Sequence, residues 1–256
     1  MKEIVVIKCG GSILQYLTES FFTSIRELQE KYHVIIVHGG GPEIDQMLQR
    51  LNIPVRKKNG LRITTKDVLH VVQMILCGSV NKELVTHLEQ VHIPAVGLAG
   101  CDGSLLQAKP LDEELGFVGE VVGVNTSLLF NLLRQNFVPV ISPIGIDESA
   151  QLYNINGDTA AAAVAHYVGA KHLLLVTDVP GVLNEGELVK EADEGQLKQL
   201  IQDGVITGGM IPKVEAALSS LQGELESVMI VDGLRGFMKE NGKIEGTTVT
   251  KGVILQ

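Results

Sequence analysis

The feature that most constrains the fold of this chain is an apolar run that ends in glycines, and it occurs twice near the start. Residues 4–7 are IVVI and lead through Lys8 and Cys9 to a glycine pair, while residues 34–37 are VIIV and lead to His38 and three glycines. Buried strands that pass through glycine turns into helices are the units of open α/β sheets. The repeat therefore predicts parallel strands whose carboxyl ends carry ligand-binding loops at the same edge of the sheet.

The same alternation of apolar strands and amphipathic helices continues along the chain. Thr64 or Thr65 can cap one of the helices. The Asn-Gly pair at 59–60 predicts a tight hairpin, residues 107–124 predict further hairpins, and residues 249–255 predict a closing strand. We therefore expect a mostly parallel sheet with helices on both faces.

Length and charge narrow the class of protein. A chain of 256 residues suits one large α/β unit or two lobes that share a sheet, with residues 1–176 in the first lobe and 177–256 in the second. The net charge of −9 and the lack of a basic run disfavour nucleic acids and anionic membranes as partners. No stretch looks long enough to span a membrane, and no signal peptide is recognisable. We expect a cytoplasmic protein.

The three cysteines, Cys9, Cys77 and Cys101, are scattered, which predicts neither a disulfide framework nor a zinc site. The P-loop, Rossmann, HExxH and GxSxG motifs are all missing from the sequence. The glycine loops therefore need another explanation. Three glycines before a helix form an anion site from backbone N–H groups, although a tight turn is the simpler alternative. We expect His38 to be a hydrogen-bonded strand-end residue and not a base, and we expect Cys9, whose side chain alternates with that of Lys8 along the strand, to be a core residue.

Five charged side chains stand where they could contact an anionic ligand or neutralise one another. Lys8 either binds a phosphate or is an ordinary solvated lysine. Lys213 lies at the N-terminus of a predicted helix, where a positive charge is unfavourable unless an anion lies near it. Arg62 either holds a carboxylate or belongs to a solvated basic hairpin. Asp158 either holds catalytic lysines or is an acid in a helix first turn, and Asp178 contacts a nucleotide or makes a turn.

These motifs together resemble the amino acid kinase family, and within it the branch that phosphorylates N-acetyl-L-glutamate. The resemblance runs in order along essentially the whole chain, through IKCGGS, VHGGGPEID, VRKKNGLRIT, AVGLAGCDG, LGFVGEV, NINGDTAAAAVA, LLLVTDVPGVL, GGMIPKV and GTTV. It implies a three-layer αβα sandwich with a mainly parallel, eight-stranded central sheet. It also implies phosphoryl transfer from ATP to the side-chain carboxylate of N-acetyl-L-glutamate, a step of arginine biosynthesis.

The resemblance implies roles for individual residues. Three are catalytic, with the carboxylate orienting the two lysines: Lys8, Lys213 and Asp158. Four hold acetylglutamate in the first lobe: Gly40, Gly41, Arg62 and Asn154. Without the resemblance, Asn154 would be interpreted as an ordinary loop asparagine. Six bind ATP: Gly10, Gly11, Asp178, Gly181, Ile206 and Thr207. The protein supplies no metal-ligand set of its own, and Mg²⁺ enters with ATP, held mainly by phosphates and water.

Two competing functions and one assembly prediction complete the sequence-based account. Another kinase of the family, acting on carbamate, aspartate or glutamate, and a non-catalytic nucleotide or amino-acid sensor are the competing functions. In this family an extra N-terminal helix joins dimers into an arginine-inhibited ring, and Lys8 follows too soon for one to precede it. We expect a homodimer that arginine does not inhibit in this way. The helix of residues 68–76 is the candidate contact, although core packing explains its apolar stripe equally well.

Overall fold

A computed structural model describes residues 2–221, 225–239 and 241–251. Nine α-helices are described: α1 (Gly11–Leu14), α2 (Glu19–Lys31), α3 (Gly41–Arg50), α4 (Lys66–Gln73), α5 (Asn81–Gln90), α6 (Thr126–Arg134), α7 (Gly157–Tyr167), α8 (Glu194–Gln202) and α9 (Met210–Ser220). A π-helical segment, Met74–Val80, joins α4 to α5, and short 3-10 turns lie at Asp102–Ser104 and Glu113–Leu115.

Sixteen strands are described in the same residues: β1 (Glu3–Cys9), β2 (Tyr32–His38), β3 (Lys57–Lys58), β4 (Leu61–Arg62), β5 (Ala95–Ala99), β6 (Leu106–Pro110), β7 (Val118–Val124), β8 (Val138–Ser142), β9 (Ile144–Ile146), β10 (Leu152–Ile155), β11 (His172–Thr177), β12 (Leu183–Asn184), β13 (Glu187–Leu188), β14 (Glu191–Asp193), β15 (Ser227–Asp232) and β16 (Thr247–Thr250). The strand predicted over 249–255 overlaps β16, and residues 252–256 lie outside the described residues.

The central sheet has eight strands in the order β14-β16-β15-β11-β1-β2-β8-β5. Within this sheet, of the strands that the structure describes, only β15 and β16 pair antiparallel, and the other neighbours are parallel. The predicted mainly parallel, eight-stranded sheet is therefore confirmed. β11 lies between β1 and β15 near the middle of the sheet, so the proposed boundary between the lobes, near residue 177, falls at the end of a central strand.

Alternate residues of the central strands enter two separate hydrophobic cores, one on each face of the sheet. Val6 and Leu173 face a core that includes residues of α6, α7, α8 and α9. Their neighbours Val5 and Leu174 face a second core, which includes residues of α2 and α5. Because successive side chains of a strand point to opposite faces, continuous apolar runs are needed where both faces are buried. This is the three-layer αβα arrangement.

Beside the sheet, β6, β7, β9 and β10 close into a small barrel. The predicted hairpin over residues 107–124 corresponds to the antiparallel pair β6–β7. The stretch around Asn154, expected to be a loop, is instead strand β10, which pairs antiparallel with β9 and parallel with β7. The barrel was not predicted, because pairs such as Asn154 with Val118 join distant segments that give no local signal.

Lys66–Gln90 forms one continuous helical segment that is long and apolar enough, by length and composition alone, to cross a membrane. The expectation that no stretch approaches a membrane span was therefore wrong. Half of the most apolar 18-residue window of this helix is buried inside the protein. The stripe formed by Val68, Val72 and Leu76 is buried against α3 and β9 in a third hydrophobic cluster, so core packing within the chain accounts for it.

Candidate active site

The two glycine loops meet at the carboxyl edge of the central sheet. β1 and β2 pair in parallel with Cys9 opposite His38, and the Gly39 N–H donates a hydrogen bond of 2.8 Å to the Cys9 carbonyl oxygen. A Cβ atom on Gly11 would lie 2.6 Å from the Gly41 nitrogen, closer than any side chain could approach. The glycines therefore allow the two strand-end loops to touch, and both loops lie at the same edge of the sheet, as the sequence predicted.

A cavity of about 270 Å³ opens between the Gly39–Gly41 loop, the β3–β4 hairpin and β10. We call it the hairpin cavity. The substrate-binding residues inferred from the resemblance all line it: Gly40, Gly41, Arg62 and Asn154. Gly40 packs so closely on α4–α5 that a Cβ there would lie 2.6 Å from a methyl group of Leu76. α3 begins at Gly41, so the start of that helix, where N–H groups lack helical partners, faces this cavity.

A second cavity of about 260 Å³, which we call the helix cavity, lies between the ends of β1 and β11 and helix α9. Gly10, Asp178 and Lys213 line it. Lys8 and Asp158 line both cavities, and the Lys8 Nζ is 2.8 Å from Asp158 Oδ1. The Lys8–Asp158 ion pair therefore lies between the hairpin cavity and the helix cavity.

The Asp158 carboxylate is placed by the start of α7. The side chain of Asn156 caps this helix and accepts hydrogen bonds from the Asp158 N–H at 2.8 Å and the Thr159 N–H at 3.2 Å. Asp158 is thus an acid in the first turn, as one of the two interpretations proposed, while the cap is Asn156. Since Asn156 satisfies the backbone, the Asp158 side chain is free to pair with Lys8.

Arg62 is held in the hairpin cavity by Asp45 of α3. The guanidinium Nη1 donates to Asp45 Oδ1, Nη2 donates to the Gly41 carbonyl oxygen at 3.4 Å, and the side chain is 9% exposed. The alternative of a solvated basic hairpin fits its neighbour Lys58, which pairs with Asp112 and Glu114, but not Arg62. Sequence reasoning missed Asp45, although it lies in the VHGGGPEID stretch.

Lys213 extends from the first turn of α9 to Asp178, which follows the end of β11, and its Nζ donates to Asp178 Oδ1. This hydrogen bond lowers the pKa of the Asp178 carboxyl below its ordinary value. The resemblance implies that Asp158 orients both lysines. Among the described ion pairs, Asp158 pairs with Lys8, whereas Lys213 pairs with Asp178. Asp158 therefore contacts one of the two lysines in this structure.

Four residues inferred to bind the nucleotide lie outside the lining of the helix cavity, and one of them, Gly11, lines the hairpin cavity instead. Gly181 packs against Thr247, whose Oγ1 would be 2.5 Å from a Cβ at this position. Ile206 is buried in the core beside α7 and α9, and Thr207 is exposed in the loop before α9. α9 begins at Met210, after Gly208, whose φ of +54° is outside the helical range.

The residues beneath the loops are uncharged, as expected for core positions. His38 is fully buried, which lowers its pKa to about 4, and its ring nitrogens contact the Gly39 carbonyl oxygen at 2.8 Å and Asn81 Nδ2 at 3.1 Å. Burial raises the pKa of the Cys9 thiol to about 12. His38 is therefore a structural residue and Cys9 a core residue, which confirms both interpretations.

A larger cavity, of about 570 Å³, lies elsewhere and contains none of the predicted site residues. In the part of the chain that the structure describes, no group of three or more His, Cys, Asp or Glu side chains is arranged to hold a metal ion.

Comparison with known proteins decides the family. Residues 3–232 match the profile of the Amino acid kinase family. The chain belongs to the amino acid kinase family. It is 54% identical over 253 residues to the acetylglutamate kinase of Bacillus cereus strain AH820, and the match covers 99% of each chain.

Solved structures support the same membership of the amino acid kinase family. The crystal structure of smu.665 from Streptococcus mutans UA159 is 32% identical, with a TM-score of 0.82, and the match covers 98% of this chain and 99% of that one. The N-acetylglutamate synthase of Neisseria gonorrhoeae, solved with coenzyme A and N-acetyl-glutamate, is 20% identical with a TM-score of 0.79, over 97% of this chain and 59% of that one. At that identity the likeness concerns the fold alone.

Proposed function

We propose that this protein is an acetylglutamate kinase. It transfers the γ-phosphoryl group of ATP to the side-chain carboxylate of N-acetyl-L-glutamate and forms N-acetyl-L-glutamyl 5-phosphate and ADP, a step of L-arginine biosynthesis. The full-length similarity to an acetylglutamate kinase supports the substrate. The single observation that carries the mechanism is the Lys8–Asp158 pair, which lines two adjoining cavities at once.

The hairpin cavity takes acetylglutamate. Arg62 offers a nearly buried guanidinium, which suits the α-carboxylate because a guanidinium binds a carboxylate through two parallel hydrogen bonds. The N–H groups of Gly40 and Gly41, at the start of α3, stabilise the reacting carboxylate. Asn154 completes the polar lining beside Arg62.

The helix cavity takes the phosphates of ATP. Gly10 permits close approach to the backbone, and Lys8 and Lys213 supply positive charge. Lys213 exchanges its contact with Asp178 for the transferring phosphoryl group, which carries more negative charge than a single carboxylate. Gly11, Gly181, Ile206 and Thr207 stay as predicted contacts of the nucleotide.

The reaction joins two anions, so the protein has to offset their repulsion. An oxygen of the acetylglutamate side-chain carboxylate forms a bond to the γ-phosphorus, the bond from that phosphorus to the bridging oxygen breaks, and ADP leaves with the electron pair. Lys8 and Lys213 stabilise the negative charge in the transition state. The acceptor needs no general base because a carboxyl with an ordinary pKa is ionised at neutral pH.

Mg²⁺ accompanies ATP and neutralises charge on its phosphates. Asp158 and Asp178 are the carboxylates that line the helix cavity, and each is paired with a lysine. Two such oxygen donors fit an ion that uses one or two carboxylates and is otherwise held by phosphates and water.

Release of ADP from ATP tests this function against its alternatives. We expect turnover with N-acetyl-L-glutamate and weak turnover with free glutamate or aspartate, because the ammonium of a free amino acid would enter a cavity suited to a neutral acetamide. Carbamate should also react weakly, because it has no second carboxylate for Arg62 to bind. Equal turnover of glutamate would contradict the substrate. Tight binding of ATP and acetylglutamate without ADP release would favour a sensor.

We further propose that the protein is a cytoplasmic homodimer. The exposed side of the 66–80 helical segment carries Met74, which is 45% exposed, and Leu51 of the adjacent loop is 49% exposed; both line the 570 Å³ cavity. Apolar area of this kind is suited to a two-fold contact. Light scattering should give the mass of a dimer, and Met74→Glu should give that of a monomer.

A further inference from the structure

Thr64 lies between the two side chains proposed to bind acetylglutamate. It follows β4 and is fully buried. Its hydroxyl donates a hydrogen bond of 2.9 Å to the Arg62 carbonyl oxygen. The Asn154 Nδ2 donates a hydrogen bond of 3.1 Å to the same hydroxyl oxygen. One hydroxyl group thus connects the β3–β4 hairpin to β10, across ninety positions of sequence.

The direction of these bonds fixes the Asn154 amide. The Arg62 carbonyl oxygen can only accept, so the hydroxyl proton of Thr64 is committed to it. The Thr64 hydroxyl oxygen can therefore only accept a hydrogen bond from Asn154. The amide must turn its NH₂ group, and not its Oδ1 atom, towards Thr64. One N–H of Asn154 is occupied in this way, and its second N–H and its Oδ1 remain for a ligand in the hairpin cavity.

The backbone of Thr64 is held independently of its hydroxyl. Its N–H donates to the Leu115 carbonyl oxygen at 2.9 Å, and its own carbonyl oxygen accepts from the Phe117 N–H at 2.8 Å. Helix α4 is capped by Thr65, whose hydroxyl accepts from the Val68 N–H at 3.3 Å. Of the two threonines that the sequence offered as caps, Thr65 has that role, and the hydroxyl of Thr64 is available for another.

We propose that Thr64 is a positioning residue for acetylglutamate binding, which acts by orienting the Asn154 amide and anchoring the hairpin that carries Arg62. This inference rests on the proposed function. Thr64 touches neither the substrate nor the reacting groups in this account. Its contribution is to hold two substrate contacts in one fixed arrangement before the substrate arrives, which lowers the entropy lost on binding.

The test is Thr64→Val, which keeps the side-chain shape and removes the hydroxyl. We expect the KM for acetylglutamate to rise about tenfold, the effect of losing roughly one buried hydrogen bond, while the KM for ATP stays within about twofold of the parent. Thr64→Ser restores the hydroxyl and should restore the KM. Since Thr64 acts partly through Asn154, Thr64→Val should have a smaller effect in an Asn154→Ala background than in the parent.

The matched control is Ser24→Ala. Ser24 is also buried, and its hydroxyl donates to the Ser20 carbonyl oxygen and accepts from the Phe237 N–H, but it lines neither cavity. We expect a comparable loss of thermal stability without a change in the KM for acetylglutamate. Equal rises in KM for both substrates in Thr64→Val, or a rise of similar size in Ser24→Ala, would show that the effect is general destabilisation and would overturn the proposal.

A second measurement needs no turnover. The NMR signal of the Asn154 side-chain amide, assigned by its loss in Asn154→Asp, should shift and broaden in Thr64→Val and return in Thr64→Ser. An unchanged signal would contradict the proposal even if the enzyme is active. A changed signal in a protein that does not phosphorylate acetylglutamate would support the positioning of Asn154 while removing the proposed function.

Discussion

The two cavities that share Lys8 and Asp158 are built differently. In the hairpin cavity the polar side chains are buried and bound to neighbouring groups. Arg62 is 9% exposed and forms an ion pair with Asp45. The fully buried Thr64 hydroxyl accepts a hydrogen bond from the Asn154 amide. In the helix cavity the Lys213 side chain is 29% exposed and its partner Asp178 is 65% exposed. Side chains held in a fixed arrangement can discriminate among small carboxylates. A more exposed lysine such as Lys213 can more easily move its side chain from Asp178 to a phosphoryl group.

The surroundings of the glycines show the same difference. At Gly11 and Gly40 an added Cβ would collide with backbone or with a core side chain. At Gly208 and Gly209, before α9, an added Cβ would meet no atom of the described residues within 4 Å. Close packing therefore requires glycine at positions 11 and 40. At positions 208 and 209 there is free space beside the segment that carries Lys213.

The largest effect is expected where the cavities join. Lys8→Ala should lower kcat on the order of a hundred- to thousandfold, because a positive charge is removed from beside both the acceptor and the phosphoryl group. Lys213→Ala should act similarly, from the helix cavity alone. Steady-state kinetics measure the effect, with circular dichroism as the control for folding. A kcat within a few-fold of the parent in both variants would contradict the roles of the lysines.

The next effect should be confined to the hairpin cavity. Arg62→Ala should raise the KM for acetylglutamate by roughly ten- to a hundredfold, the loss expected for a charge-assisted hydrogen-bonded contact, and should leave the KM for ATP nearly unchanged. Measuring both KM values in one series separates the cavities. A parallel rise for ATP would mean that Arg62 serves both sites.

A smaller effect should follow from loosening Arg62 without removing it. Asp45→Asn keeps the shape of the side chain but weakens its hold on the guanidinium, so the KM for acetylglutamate should rise about three- to tenfold. Asp112→Asn is the matched control, since Asp112 pairs with the exposed hairpin residue Lys58 and lines neither cavity. Equal effects of the two variants would contradict a specific role for Asp45.

The smallest effect concerns stability in the helix cavity. The hydrogen bond from Lys213 lowers the pKa of Asp178 from its ordinary value of 3.8. A carboxylate with a lowered folded-state pKa stabilises the protein above that ordinary value, and the contribution is lost as pH falls through the lower folded value. Because the pair is largely exposed, it contributes at most about 0.5 kcal/mol.

Thermal unfolding of Asp178→Asn against the parent checks this expectation. We expect a small Tm difference that is constant from about pH 8 to pH 5, shrinks as pH falls below 3.8, and is lost once the pH is below the folded-state pKa, where Asp178 is protonated in both states. A difference that grows as pH falls would contradict the pairing of Asp178 with Lys213.

Much of the fold could be predicted because its signals are local. The apolar runs at 4–7 and 34–37, followed by glycines, indicated parallel strands with both loops at one edge of the sheet, and β1 and β2 do pair in parallel. The prediction that the Gly39–Gly41 loop binds an anion likewise rests on residues that are neighbours in sequence. Cys9 was assigned to the core because its side chain alternates with that of Lys8 along one strand.

The supporting contacts could not be predicted, because they join residues that are distant in sequence. The Thr64–Asn154 bond spans ninety positions, and nothing near Asn154 indicates that it belongs to a strand of the small barrel. The partner of Lys213 depends on how far α9 reaches towards the end of β11. Asp45 had a signal, an acidic residue one helical turn beyond a glycine loop, but its partner Arg62 lies on a separate hairpin.

The most direct test of the account is a crystal structure of the protein with N-acetyl-L-glutamate and a non-hydrolysable ATP analogue. We predict the amino acid in the hairpin cavity with its α-carboxylate on Arg62, and the terminal phosphate of the analogue in the helix cavity. The Lys8 Nζ should lie within hydrogen-bond distance of the terminal phosphate or of the reacting carboxylate, between the two. Both ligands in one cavity, or Lys8 turned away from both reacting groups, would contradict it.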